Sequence, residues 1–440
     1  MGSDARIALL GRPAWPGWRY PRVVPVESYS NSQGGIVSIA ELLAESAGPG
    51  ADTPKQGVAI ALSGGGYRAM LFHTGVLWRL GQLGFFQDKP LEHNVAGVTS
   101  QVGRLERISS VSGGSITAAV LALALERLEH TSAAAFDGAF KEHVVGPVRQ
   151  LAGKNLAGTK PSGAFQVIKD IVMPGRVSEH ISAAYRRELF GDKTLQDLPD
   201  RVRFVINASN LQSGALWRFS KPFMRDWKVG EVPNPRVSLA DAVAASSAFP
   251  PVLAPALLSL KESDYSPNSG DPRQGLQRAP FTTNPTLADG GVYDNLGLET
   301  CFKRYKTLFV SNAGKPFSPE PTVKSNWVSI GRRCLDVVDT QVLNLRKRLL
   351  MQALVSGERT GAFWDIEHDI GVHQCAGALP CPQNKTALLA QVPTDLAHKD
   401  GALQECLINW GYAVTDAAVR TWFNKTLLAP GGFPYPIGVG

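Results

Sequence analysis

Short apolar runs alternate along much of this chain with stretches whose apolar residues fall on one helical face. VAIAL (58–62) is followed by a SGGG turn and then by YRAMLFHTGVLWRLGQLG, in which Met70, Leu71, Leu77 and Leu80 share a face. The same grammar recurs where ERISSVSGG runs into SITAAVLALALERLEH. Strand, sharp turn and helix, twice over, predict a parallel sheet covered by helices. Further strands are expected at 203–208, 216–220 and 307–311, the last after a helix around Leu298–Tyr305. The stretch 132–200 reads as amphipathic helix, a cap or side wall between core strands, and 261–285 as a long surface loop rich in Ser, Asp, Pro and Gly. A helix is predicted over 335–357, with apolar Val338, Val342, Leu345 and Leu349, acidic Asp336 and Asp339 early and Arg346, Lys347 and Arg348 late, matching the helix dipole. The chain then reads as irregular until a helix over 403–427. The expected fold is therefore α/β, three layers around a mainly parallel sheet. Residues 1–55 form an extended lead-in with one short helical candidate at 39–47, residues 56–315 the core domain, and 316–440 an extension packed on it.

Composition narrows the class. Of 440 residues, 44% are hydrophobic and 19% charged, as in a globular chain and unlike a disordered one. The first residues carry no basic n-region or cleavage site of a secretory signal, and the longest near-continuous apolar stretch, 116–125, is too short to cross a bilayer. Five cysteines, few and odd in number, fit a reducing compartment, so a cytoplasmic location is expected. A net charge of +7 favours anionic surfaces, phospholipid headgroups or nucleic acid, without choosing between them.

Three glycine-bounded turns carry the candidate chemistry. In Ser110-Val111-Ser112-Gly113-Gly114, a serine sits between an apolar strand and a helix of small residues, where a tight turn would aim its hydroxyl into open space; Ser110 stands where G-x-S-x-G has its first glycine. Taken alone, Ser112 is as well explained as the N-cap of an ordinary helix. In Ser63-Gly64-Gly65-Gly66-Tyr67-Arg68, three glycines expose consecutive N–H groups able to hold an oxyanion or a phosphate; the G-K-[ST] ending of a P-loop and the third glycine of G-x-G-x-x-G are missing. In Leu287-Ala288-Asp289-Gly290-Gly291, an aspartate ends a short apolar piece, and by itself reads more readily as an Asp-Gly turn than as a base.

Taken together and in this order, the three turns resemble the patatin-like phospholipase family over about residues 57–314. The segment 241–251, DAVAASSAFPP, resembles the family's helix before the aspartate. The resemblance implies a patatin-like fold, Ser112 as nucleophile, Asp289 as base, Gly64, Gly65 and Gly66 as oxyanion hole with Arg68 as its supporting cation, and Gly113 and Gly114 as the elbow glycines. It implies a phospholipase A or lysophospholipase type of lipid acyl hydrolase, with no metal or cofactor, working at the membrane surface on phospholipid or another acyl lipid, with no nucleic acid as partner. The family also includes bacterial effectors switched on by a cyclic nucleotide, which leaves room for a small-nucleotide activator. Two rival readings stay open. A Ser-His-Asp esterase would draw its histidine from His368, His373 or His398. A non-catalytic module would use the glycine loop to bind phosphate or nucleotide. His368, His373, Cys375 and Cys381 crowd together in sequence, but at spacings too irregular for a zinc site, and Arg346–Arg348 reads as a solvated helix face more readily than as a lipid contact.

Overall fold

The computed structural model describes residues 54–156 and 175–440, apart from residues 96 and 252; the helix expected over 39–47 lies outside them. The chain enters on β1 (Lys55–Leu62), turns into α1 (Gly66–Gln82), makes the hairpin β2–β3 (Glu92–Val95, Val98–Gln101), and returns through β4 (Leu105–Val111) into α2 (Gly113–Glu129). Helices α3 (Ala133–Phe140), α4 (Gly146–Ala152) and α5 (Arg176–Tyr185) precede β5 (Arg203–Asn210). From there β6 (Ala215–Phe219), β7 (Phe223–Asp226) and β8 (Gly230–Pro233) meander to the sheet edge. Next come α6 (Leu239–Ser246), β9 (Ala256–Leu257), β10 (Thr286–Asp289), the one-turn helices α7 (Gly291–Asp294) and α8 (Glu299–Phe302), and β11 (Tyr305–Asn312). The chain ends through α9 (Trp327–Val355), β12 (Thr360–Asp365), α10 (Gln383–Ala390) and α11 (Gly401–Trp422).

The sheet runs β12-β11-β1-β4-β5-β6-β7-β8, with β10 paired to β5 and β9 to β10. Strands β12 to β5 pair in parallel and the rest antiparallel, so the expected α/β class with a mainly parallel centre is what forms. β1 explains why its sequence is a continuous apolar run. Val58, Ile60 and Leu62 pack toward α1, α2 and α11, while Ala59 and Ala61 face the opposite layer with Leu296, Leu308 and Leu350. On the first side α1 and α11 meet backbone to backbone: a Cβ on Gly75 would lie 1.8 Å from the Ile408 carbonyl oxygen, and one on Gly411 1.9 Å from that of Phe72. The Arg79–Asp416 ion pair, 2.7 Å and buried, locks the same crossing.

Several elements differ from expectation. β12 occupies a stretch read as irregular, because its interior glycine, Gly361, sits where a Cβ would meet the Leu308 carbonyl oxygen at 1.9 Å, and glycine carries no strand signal. Helix α9 begins at Trp327 and not at Leu335, started by Asn326, whose side chain accepts the Ser329 N–H at 2.9 Å. The helix expected near 298–305 shrinks to one turn, since Tyr305 already pairs with Lys55 in the sheet. Residues 316–440 do more than cover the core: β12 closes one edge of the sheet and α11 packs along α1.

Candidate active site

The sharp turn between β4 and α2 sets Ser112 in a conformation side chains rarely adopt, φ 50° and ψ −121°. Such a backbone costs about 1–3 kcal/mol and persists only where its surroundings enforce it. Here they do. The Ser112 N–H donates to Ser246 Oγ at 3.0 Å, and that hydroxyl in turn donates to the Asn207 carbonyl at 2.6 Å. Although Ser112 stands at the N-cap of α2, its side chain makes no capping hydrogen bond, so the helix does not use its hydroxyl. The following glycines are required sterically: a Cβ on Gly113 would lie 2.1 Å from the Gly66 carbonyl oxygen, and one on Gly114 2.6 Å from that of Ser63. Ser110, in place of an elbow glycine, is buried and accepts from the Ser115 hydroxyl at 3.0 Å.

The elbow therefore touches the glycine loop directly. Gly64 lies against Ser112, its hypothetical Cβ only 3.1 Å from the Ser112 Cβ, and its N–H donates to the Asn295 carbonyl at 3.1 Å. The next two amides differ. Gly65 (φ 143°) and Gly66 (φ 59°) are buried, and their N–H groups have no partner among the described residues. Buried amides are nearly always satisfied, so two adjacent orphans beside a strained serine mark a place for an acceptor. Arg68 sits behind the loop, fully buried, its guanidinium donating to the Ala313 and Val392 carbonyls. Burial lowers its pKa to about 10, opposed by Asp395, Asp365 and Glu367, and it remains a cation.

Asp289 closes the group. β10 carries it alongside β5, where Asp289 pairs with Ala208, and its N–H donates to the Ala248 carbonyl at 2.8 Å. Gly290 must be glycine, because a Cβ would stand 2.4 Å from the Asn207 carbonyl oxygen; the Gly291 N–H donates to Asp289 Oδ1 at 2.7 Å. Burial pushes the Asp289 carboxyl up to about 7; the Gly291 N–H and the Ser112 hydroxyl pull it down, and the charge of Asp339 raises it further. A carboxylate tuned near neutrality is a far better proton acceptor than an exposed one.

Sequence reasoning missed the residues that hold this arrangement. Asn295 joins two of the turns: its carbonyl takes the Gly64 N–H, and its side-chain oxygen fills the space beside Gly64 and Gly291. Ser246 and Asn207 fix the elbow from behind. Asn295 was within view, six residues past Asp289, but nothing local gives it a partner. The three histidines of the rival triad have partners elsewhere: His368 and His373 pack ring to ring at 5.6 Å, His373 accepts from Trp422, and His398 bonds the Gly153 carbonyl. No group of three potential metal ligands forms among the described residues.

The patatin-like phospholipase family matches residues 60–302. Among solved structures, human GIVD cytosolic phospholipase A2 aligns at 12% identity with a TM-score of 0.46, covering 83% of this chain and 59% of that one. The same human enzyme in complex with methyl gamma-linolenyl fluorophosphonate aligns at 14% identity and 0.42, covering 83% and 57%. VipD from Legionella pneumophila aligns at 12% and 0.29, covering 78% and 66%. The chain thus spans about three fifths of the length of the human enzyme. No curated protein sequence matches it.

Proposed function

This chain belongs to the patatin-like phospholipase family, and on that premise we propose that it hydrolyses carboxylic esters of membrane phospholipid or another acyl lipid, with Ser112 as nucleophile and Asp289 as its base. Asp289 takes the hydroxyl proton while Ser112 Oγ attacks the ester carbonyl carbon. The oxyanion settles on the Gly65 and Gly66 N–H groups, with the N-terminus of α2 adding its partial positive charge. Gly64 and Arg68 act one step back, the first pinning the loop to Asn295 and the second bracing it against the Ala313 and Val392 carbonyls. Collapse of the tetrahedral intermediate breaks the ester bond, and the leaving alcohol takes the proton from Asp289. Water then attacks the acyl-serine by the same route and frees the fatty acid.

What supports this reading is an uncapped, strained serine hydrogen-bonded to a buried carboxyl with a pKa of about 7, beside a glycine loop in which two amides have no partner among the described residues. A phosphate-binding loop accounts for the amides but gives no reason for the other two. The test is labelling with a fluorophosphonate followed by peptide mapping, together with fatty-acid release from phospholipid vesicles. Label on Ser112, and release falling by at least about 10⁴-fold in Ser112→Ala, are expected. Label on another residue, or release undiminished in Ser112→Ala, would overturn the assignment.

A further inference from the structure

Helix α9 presents a face that none of the described residues covers. Of its 29 residues, only Leu350 and Ala353 are buried among those described, both near the C-terminal end. Trp327, Ile330, Val338, Leu345, Leu349 and Val355 are between 43% and 84% exposed. At about 100° per residue they fall within an arc of roughly 120°, on the side away from Leu343, Leu350 and Leu354, which pack on the core.

The charges are sorted across the same helix. Its two carboxylates, Asp336 and Asp339, lie outside that arc and are half-buried, Asp339 near enough to Asp289 to oppose its ionisation. Arg346 is also turned inward, pairing with Glu299 at 3.0 Å, and Lys347 pairs with Asp365 at 2.5 Å. Arg348 falls within the apolar arc, exposed and with no partner among the described residues. A helix face turned to water carries mainly polar and charged side chains, whereas one that lies in a lipid interface combines a wide apolar face with cations.

The helix also flanks the site. Arg346 donates to the Tyr293 carbonyl and lies over its ring at 5.7 Å, and Val292, three residues past Asp289, is 41% exposed. We infer that α9 seats the protein on a bilayer bearing anionic phospholipid, lying among the headgroups with the Ser112 site beside the lipid surface. The purpose of this docking rests on the lipid-hydrolase reading, while the docking itself rests on the helix. No described helix is long and apolar enough to cross a membrane, so α9 lies on the bilayer and does not span it.

The experiment is sedimentation of the Ser112→Ala protein, which leaves substrate lipid intact, with vesicles of phosphatidylcholine with or without phosphatidylglycerol. Binding is expected to need phosphatidylglycerol and to weaken with salt. Val338→Glu with Leu345→Glu should cut partitioning by about tenfold or more at unchanged melting temperature, and Arg348→Glu should remove part of the phosphatidylglycerol dependence. Three outcomes would overturn the inference: no binding by the parent protein, undiminished binding by the double variant, or a parent dimer in solution that the double variant breaks, which would make a second copy the cover of this face. Vesicle binding by the wild-type protein without fatty-acid release would sink the hydrolase reading and leave the docking standing.

Discussion

At the scale of single residues, the proposed role of Asp289 as base makes its environment act on activity and stability in opposite directions. To accept a proton the carboxyl must be ionised, so kcat/KM should rise about tenfold per pH unit up to roughly pH 7, where Asp289 titrates, and level off above it. A plateau reached already at pH 5 would mean that the base is another group. The stability effect has the reverse sign. A folded-state pKa raised above the unfolded value of 3.8 gives stability that is complete below 3.8 and lost as pH rises through 7. Asp289→Asn removes that loss. It should therefore abolish most activity yet raise the melting temperature at pH 8, by up to a few kcal/mol of stability, with the gain shrinking toward pH 4. Thermal melts of both proteins across this range would show it, and a variant less stable than wild type at pH 8 would contradict it.

Elements meet here at glycines, and the same substitution should have opposite effects at a crossing and on an open helix face. Gly411→Ala drives a methyl group into the Phe72 carbonyl at the α1–α11 contact, where neither backbone can yield without separating the helices. A loss of about 2 kcal/mol or more is expected. Gly138→Ala, in exposed α3 with nothing within 4 Å of the new methyl, should gain up to about 1 kcal/mol from helix propensity alone. Denaturant melts of the two variants compare the effects directly. Equal shifts would show that the α1–α11 contact is looser than its distances indicate.

Over the whole molecule, residues beyond the family match pack against the candidate site that the matched residues form. The Asp395 carbonyl accepts the Tyr67 N–H at 2.9 Å, the Val392 carbonyl accepts from Arg68, and Lys399 holds Asp395 at 2.6 Å while its own N–H reaches the Ala152 carbonyl at 2.8 Å. This stretch clamps the glycine loop from outside, and α11 behind it covers α1. A chain ended after Ala390 should lose both, showing no cooperative thermal transition and taking no fluorophosphonate label at Ser112. Labelling at the full-length rate would show the clamp to be dispensable.

The chain's local order already determined a good deal. Apolar runs broken by glycine turns produce β1-α1 and β4-α2, because backbone freedom and side-chain periodicity act over a few residues. The identity of the three turns, and their resemblance to one family, are likewise properties of short segments. What they do to one another belongs to the tertiary structure. Gly64, Gly65 and Gly66 look equivalent along the chain, and it is the approach of Asn295 that engages the first N–H, while the other two have no partner among the described residues. Asp289 reads as a turn residue until burial between distant strands shifts its titration to about 7. The outer face of α9 is an ordinary amphipathic pattern until the fold leaves it exposed among the described residues. Desolvation, close approach and exposure each depend on residues far apart in the chain, so no local pattern records them.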